Sequence, residues 1–182
     1  MVMAAVSPVT TIEELLALPE DGQRHELLDG VHVVTPSPAY RHQDLVGNLL
    51  VLLRAALLPH PTLRTLTSPA DIVLGPRTLV QPDLFVVRID PEHPPVAWAD
   101  AGLPLLAIEI LSPSTAARDR GAKRRIYQAA GVAEYWIVDP DARLVERWTP
   151  GEARPEINTD RLMWEPEAGV RVEVGVEGVF GG

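Results

Sequence analysis

Two carboxylates stand where a chain rarely places them. Glu109 interrupts LLAIEIL, residues 105–111, an almost continuous apolar run that predicts a buried central strand. A carboxylate there is costly unless something compensates it. Asp83 opens a second apolar stretch, DLFVVR, introduced by Gln81-Pro82. On adjacent strands the two acids would repel each other unless a cation joined them. An oxygen-only ligand set favours Mg2+ or Mn2+, completed by water, phosphate oxygens and a backbone carbonyl, for which Ile110 is placed. Such a centre is suited to phosphate ester chemistry. The simpler uses are a strand-start residue for Asp83 and a core salt bridge to an arginine for Glu109.

Lys123 is the only lysine among 16 basic residues, the rest being arginine. Its compact ammonium can approach a water or a phosphate oxygen without the broad planar fork of arginine. Asp119, Lys123 and Tyr127 follow one another at intervals of four, so on a helix they project to one side. This spacing permits catalysis or a plain helix salt bridge. The surrounding ARDRGAKRR, residues 117–125, carries five basic residues and one acid. Such a patch could draw in a phosphate backbone, with Arg120 and Arg124 as candidate contacts, or serve as a solvated helix face. Glu26, after His25, could return to the carboxylate pair or remain a surface acid.

Other chemistries find less support. The chain has no cysteine, which removes disulfides, thiolate nucleophiles and thiolate-bound metals. Its five histidines lack the paired spacing of a zinc helix, and His42 suits packing or a local hydrogen bond. The SPST stretch, Ser112–Thr115, lacks a nucleophile-elbow pattern and reads as a helix cap. Tyr127, Tyr135 and Trp136 could stack with bases but fit packing better. No phosphate-binding glycine loop competes. With 25 acidic against 16 basic residues, the formal charge of −9 argues against a protein that coats nucleic acid non-specifically.

The elements that must position these residues follow from periodicity. TTIEELLAL, residues 10–18, predicts a short helix with a capping box, and Asp29-Gly30 a turn between two strands. Residues 39–58 predict a helix with His42, Val46, Leu49, Leu50 and Leu53 on one side. Strands are expected at 63–66, 70–74 and 83–88, then an irregular excursion over 90–104. Strand 105–111, a helix over 116–130 and strand 134–140 suggest a crossover connection, with the two strands parallel if they are adjacent in one sheet. A strand over 143–148 and a late edge strand from Val170 to Val176 complete the reading. The 182 residues suit one domain spanning 10–182 after a tail of residues 1–9. The opening MVMAAVSPV lacks the length and basic residues of a secretory signal, and no apolar run spans a bilayer, so a cytoplasmic protein is expected.

Taken together, RHELLDG, QPDLFVV, LLAIEILSPST and DRGAKRRIYQAAGVAEYWIVDP resemble the Uma2 family of restriction-endonuclease-like proteins, within the PD-(D/E)xK nuclease superfamily. The resemblance covers most of residues 10–150. It implies an α/β fold: a restriction-endonuclease-like core with a central mixed β-sheet, flanking helices and additional strands. It also implies that Asp83 and Glu109 are metal-binding acids, that Ile110 supplies a carbonyl and that Glu26 matches a further acid able to contact a second ion. The superfamily lysine usually stands two positions after the glutamate, where this chain has Leu111; Lys123, with Asp119, offers the relocated ammonium. The implied activity is Mg2+-dependent hydrolysis of DNA, leaving 5′-phosphate and 3′-hydroxyl ends, by a homodimer. The alternatives are a nuclease-like fold retained for nucleic-acid or protein binding, and hydrolysis of another phosphodiester.

Overall fold

The computed structural model describes residues 9–181, so the predicted tail, apart from Val9, lies outside the described residues. Helix α1, Ile12–Leu16, is closed at its start by the expected capping box, in which Thr11 accepts from Glu14 N and the Glu14 carboxylate accepts from Thr11 N. Strands β1, Arg24–Leu28, and β2, Val31–Thr35, pair antiparallel across Asp29-Gly30. Both turn residues have positive φ, as the favoured two-residue hairpin requires. At Gly30, φ is +84° and an added Cβ would fall 2.0 Å from Arg77 Nη2. Gly30→Ala is therefore expected to lower stability by about 1–2 kcal/mol, read as a reduced urea midpoint at unchanged slope.

Helix α2, Tyr40–Ala56, buries Leu45, Leu49 and Leu53, one turn apart, and half-buries His42. Strands β3 (Leu63–Thr67), β4 (Ile72–Gly75), β5 (Thr78–Val80) and β6 (Leu84–Arg88) follow. β5, only three residues long, has no alternation to betray it. The excursion over 90–104 contains a single 3-10 turn, Trp98–Ala101. β7, Leu106–Ile110, and β8, Glu134–Asp139, pair in parallel, confirming the crossover, and β9, Leu144–Trp148, returns antiparallel.

The crossover helix is not continuous. It runs as α3, Ala116–Arg118, a π-helical turn, Asp119–Lys123, and α4, Arg124–Ala129. The wider turn places both Asp119 and Lys123 inward, the type of irregularity that recurs at functional sites. The SPST stretch also departs from expectation: no side chain caps α3, and the Ser112 hydroxyl instead meets those of Ser114 and Thr115. Near the end, β10 (Glu156–Asn158) and β11 (Arg161–Glu167) carry too little pattern to be read in advance. β12, Val170–Gly175, pairs with β11 as a separate ribbon, and Val176 opens a short helix, α5, Val176–Val179.

The central mixed sheet has the order β10-β9-β8-β7-β6-β3, and a smaller sheet the order β2-β1-β5-β4. Alternation along the central strands sends Leu84, Val86, Leu106, Ile108, Trp136 and Val138 to a core with α2, β12 and α5. Phe85, Val87, Ala107, Tyr135 and Ile137 face the other way, onto α4 and the small sheet. Glu109 alternates to this second face, so it lies under the crossover helix. Among the described residues no helix is long and apolar enough to cross a membrane.

Candidate active site

Strands β6 and β7 are antiparallel neighbours in which Leu84 pairs with Ile108. That register sets Asp83, just before β6, beside the end of β7 that carries Glu109. Both acids are buried. The backbone N–H of Ile110 donates to Asp83 Oδ2 at 2.9 Å, which ties the two strand ends together. His42, from α2, donates from Nε2 to the same oxygen at 3.0 Å. Arg24, from β1, donates from Nη1 to Asp83 Oδ1 at 2.7 Å, and its Nη2 stands 4.0 Å from Glu109 Oε2.

Lys123 enters from the π-turn and is fully buried. Its Nζ lies 2.7 Å from Glu109 Oε1 and 2.7 Å from Glu26 Oε1. Glu26 Oε1 also accepts from the backbone of Gln81 at 2.8 Å. Tyr127, one turn beyond Lys123, donates to Glu109 Oε1 at 3.1 Å. Asp119 is buried at the edge of the same cluster, 3.9 Å from Arg118 Nε. Glu26, Asp83, Glu109, Asp119 and Lys123 thus come from β1, the β6 and β7 strand ends and the π-turn to one place. Asp83, Glu109 and Asp119 line a cavity of about 240 Å3, together with Arg24, His42, Ile110 and Arg118.

The cluster holds four carboxylates against the charges of Lys123, Arg24 and Arg118. Burial, reinforced by Asp83, Asp119 and Glu26 and opposed by Lys123, pushes Glu109 up to about 8. Asp119 is raised, again chiefly by burial. Burial would lower Lys123, but Glu109, Glu26 and Asp119 outweigh it and hold the ammonium above the usual lysine range. For Asp83 burial is likewise the largest influence, yet hydrogen bonds from His42 and Arg24 and their charges hold it well below the carboxylate range. The cluster is short of positive charge, and that shortage falls on Glu109.

The donor set fits a hard divalent cation. All candidate ligands are oxygens, and the buried Glu26 Oε2 and Asp119 Oδ1 have no hydrogen-bond partner. As they stand, no three His, Asp or Glu side chains among the described residues form a group able to hold an ion. The guanidinium of Arg24 lies between Asp83 and Glu109.

Two of the candidate phosphate contacts are otherwise engaged. Arg120 does not face the cluster: its guanidinium is held by Glu146 at 2.6 Å and Asp139 at 2.7 Å. Arg124 lies over the Trp148 ring, 4.6 Å from its centroid, and bonds Gln128. Strand acids and an aromatic face thus already engage both. Tyr127 is fully buried and supports Glu109. Arg24, His42 and Arg118 were not anticipated at the cavity. A signal for Arg24 existed: it stands two residues before Glu26, so on one strand they share a face.

A mixed sheet with paired acids at two adjacent strand ends and a lysine on the following crossover helix defines a restriction-endonuclease-like α/β protein. The chain belongs to the Uma2 family, described as "Putative restriction endonuclease", whose family model matches residues 12–176. Its fold is similar to a crystal structure described as "a putative nuclease belonging to DUF820" from Anabaena variabilis ATCC 29413. The TM-score is 0.76 at 18% identity, over 93% of this chain and 97% of that one. No curated protein matches the chain.

Proposed function

We propose that the protein is a metal-dependent phosphodiesterase acting on DNA in the cytoplasm. The observation that carries this reading is the convergence of Asp83 and Glu109, from two strand ends, at one cavity, with Lys123 of the crossover helix paired to Glu109 behind the cavity wall.

Asp83 and Glu109, with the Ile110 carbonyl, would hold Mg2+ or Mn2+, and Glu26 would contact a second ion. When bound, the ion would polarise the scissile phosphate and make water a stronger nucleophile. The protein's own contribution is positional. His42 and the Ile110 N–H keep Asp83 ionised and oriented, while Tyr127 fixes the Glu109 carboxylate. Lys123 has three N–H donors, of which two are directed to Glu26 and Glu109. The third would orient the attacking water or meet charge developing on the phosphate if substrate binding opened a path to it. Arg118 adds positive charge to the cavity wall. In-line attack would leave 5′-phosphate and 3′-hydroxyl ends, and a homodimer would present two such sites to a duplex.

The test is cleavage of a panel of DNA, RNA and small phosphodiesters with Mg2+, Mn2+ or chelator. DNA cleavage is expected with either metal and is expected to vanish with chelator and in Asp83→Asn. Full activity of folded Asp83→Asn would reject this site. Tight DNA binding without any hydrolysis would identify a non-catalytic binding protein, and preferred hydrolysis of another substrate would reassign the substrate class.

A further inference from the structure

Arg24 and Lys123 are both counter-ions of the acid cluster, but they are held differently. Lys123 is fully buried between two carboxylates. Arg24 sits at the cavity wall with a side chain 20% exposed, and its single hydrogen bond goes to Asp83 Oδ1. Its buried Nε has no partner. A guanidinium has five donors, and one fixed for structure alone normally has more of them engaged. Arg24 therefore has weak anchorage and a strong electrostatic reason to be where it is.

Its location is also the one a bridging cation would need. The guanidinium faces Asp83 Oδ1 at 2.7 Å and Glu109 Oε2 at 4.0 Å. A dication held by those oxygens and the guanidinium would compete for the same space and repel each other at short range. We propose that Arg24 is an exchangeable counter-ion: it neutralises the Asp83–Glu109 pair until a divalent cation displaces it, and then turns into the cavity to bind a substrate phosphate. This rests on the metal-dependent reading above. Arginine suits both states, because its planar fork pairs with a carboxylate or a phosphate alike. The cavity of about 240 Å3 that Arg24 lines also holds Arg118, so the released guanidinium would add to an existing cationic wall. Competition of this kind is reciprocal: whatever Arg24 gains from the acids weakens the metal, and the reverse.

The experiment is a calorimetric Mn2+ titration, without nucleic acid, of the wild type, Arg24→Gln, Arg24→Lys and Asp83→Asn, with folding checked by thermal unfolding. Binding of a short DNA duplex is then measured with Ca2+ in place of Mn2+. Arg24→Gln is expected to bind Mn2+ about 5- to 100-fold more tightly than wild type, as expected for a removed competitor. Arg24→Lys, which keeps the charge, is expected to stay near wild type, and Asp83→Asn to lose the metal. Arg24→Gln is also expected to bind the duplex more weakly. If wild type binds Mn2+ and Arg24→Gln binds it equally or less well, the exchange is overturned while the metal reading stands. Unchanged duplex affinity in Arg24→Gln overturns the phosphate-binding half. If neither wild type nor Arg24→Gln binds Mn2+, the metal reading falls and the exchange with it.

Discussion

Glu109→Gln is expected to leave the protein folded and to lower phosphodiester hydrolysis by about 10^3-fold or more, the loss of several kcal/mol of transition-state stabilisation. The substitution keeps the shape of the side chain and keeps Oε1 as an acceptor for Lys123 and Tyr127. With its carboxyl raised to about 8 by burial and by Asp83, Asp119 and Glu26, Glu109 carries little charge at neutral pH without a metal, so a neutral amide changes the folded state little. Lys123 still faces Glu26. Folding stability should therefore change by no more than about 1 kcal/mol. What the amide cannot supply is an anionic ligand. Single-turnover cleavage together with urea unfolding separates the two effects: a folded variant with wild-type cleavage would assign Glu109 to the core alone.

Lys123→Met is expected to act in the opposite sense, on stability first. The side chain has no exposed surface, and removing its charge leaves Glu26 and Glu109 facing each other without the cation between them. Breaking a buried pair in this way costs about 3–5 kcal/mol. That is a large part of the roughly 5–15 kcal/mol that holds a domain of this kind together. Thermal or urea unfolding should show the loss directly, and whatever protein remains folded should not hydrolyse DNA. Adding Glu109→Gln to Lys123→Met should recover part of the stability, and more of it as the pH rises, since the second change removes a carboxyl that would otherwise ionise without a partner. A cost below about 1 kcal/mol for Lys123→Met, or strict additivity of the two changes, would contradict a coupled buried cluster.

The local devices were legible in the sequence. The Thr11–Glu14 capping box, the Asp29-Gly30 hairpin and the β7-helix-β8 crossover rest on residues close together in the chain, whose spacing alone dictates their geometry. The anomaly of Glu109 was equally visible, because an acid inside LLAIEIL demands a partner wherever the strand is placed. The three-residue β5 and β10 and the longer β11 were not legible, since three residues carry no period and β11 alternates only against a ribbon partner. The π-turn was also hidden. A helix of that composition has no local reason to widen, and contacts with Glu26 and Glu109 supply one.

Composition and spacing established which residue types were available for chemistry: two strand acids, one lysine among arginines and no thiol. Which charges meet depends on long-range packing. Arg24 reaches Asp83 across 59 positions of chain and His42 does so across 41, and both pairings depend on how two sheets and a helix pack. Arg120 and Arg124, although neighbours of Lys123 in sequence, turn to Glu146 and Trp148. Periodicity tells a side chain which face of its own element it occupies. Long-range packing determines what lies opposite that face, and here it set an arginine where the acid pair calls for a cation.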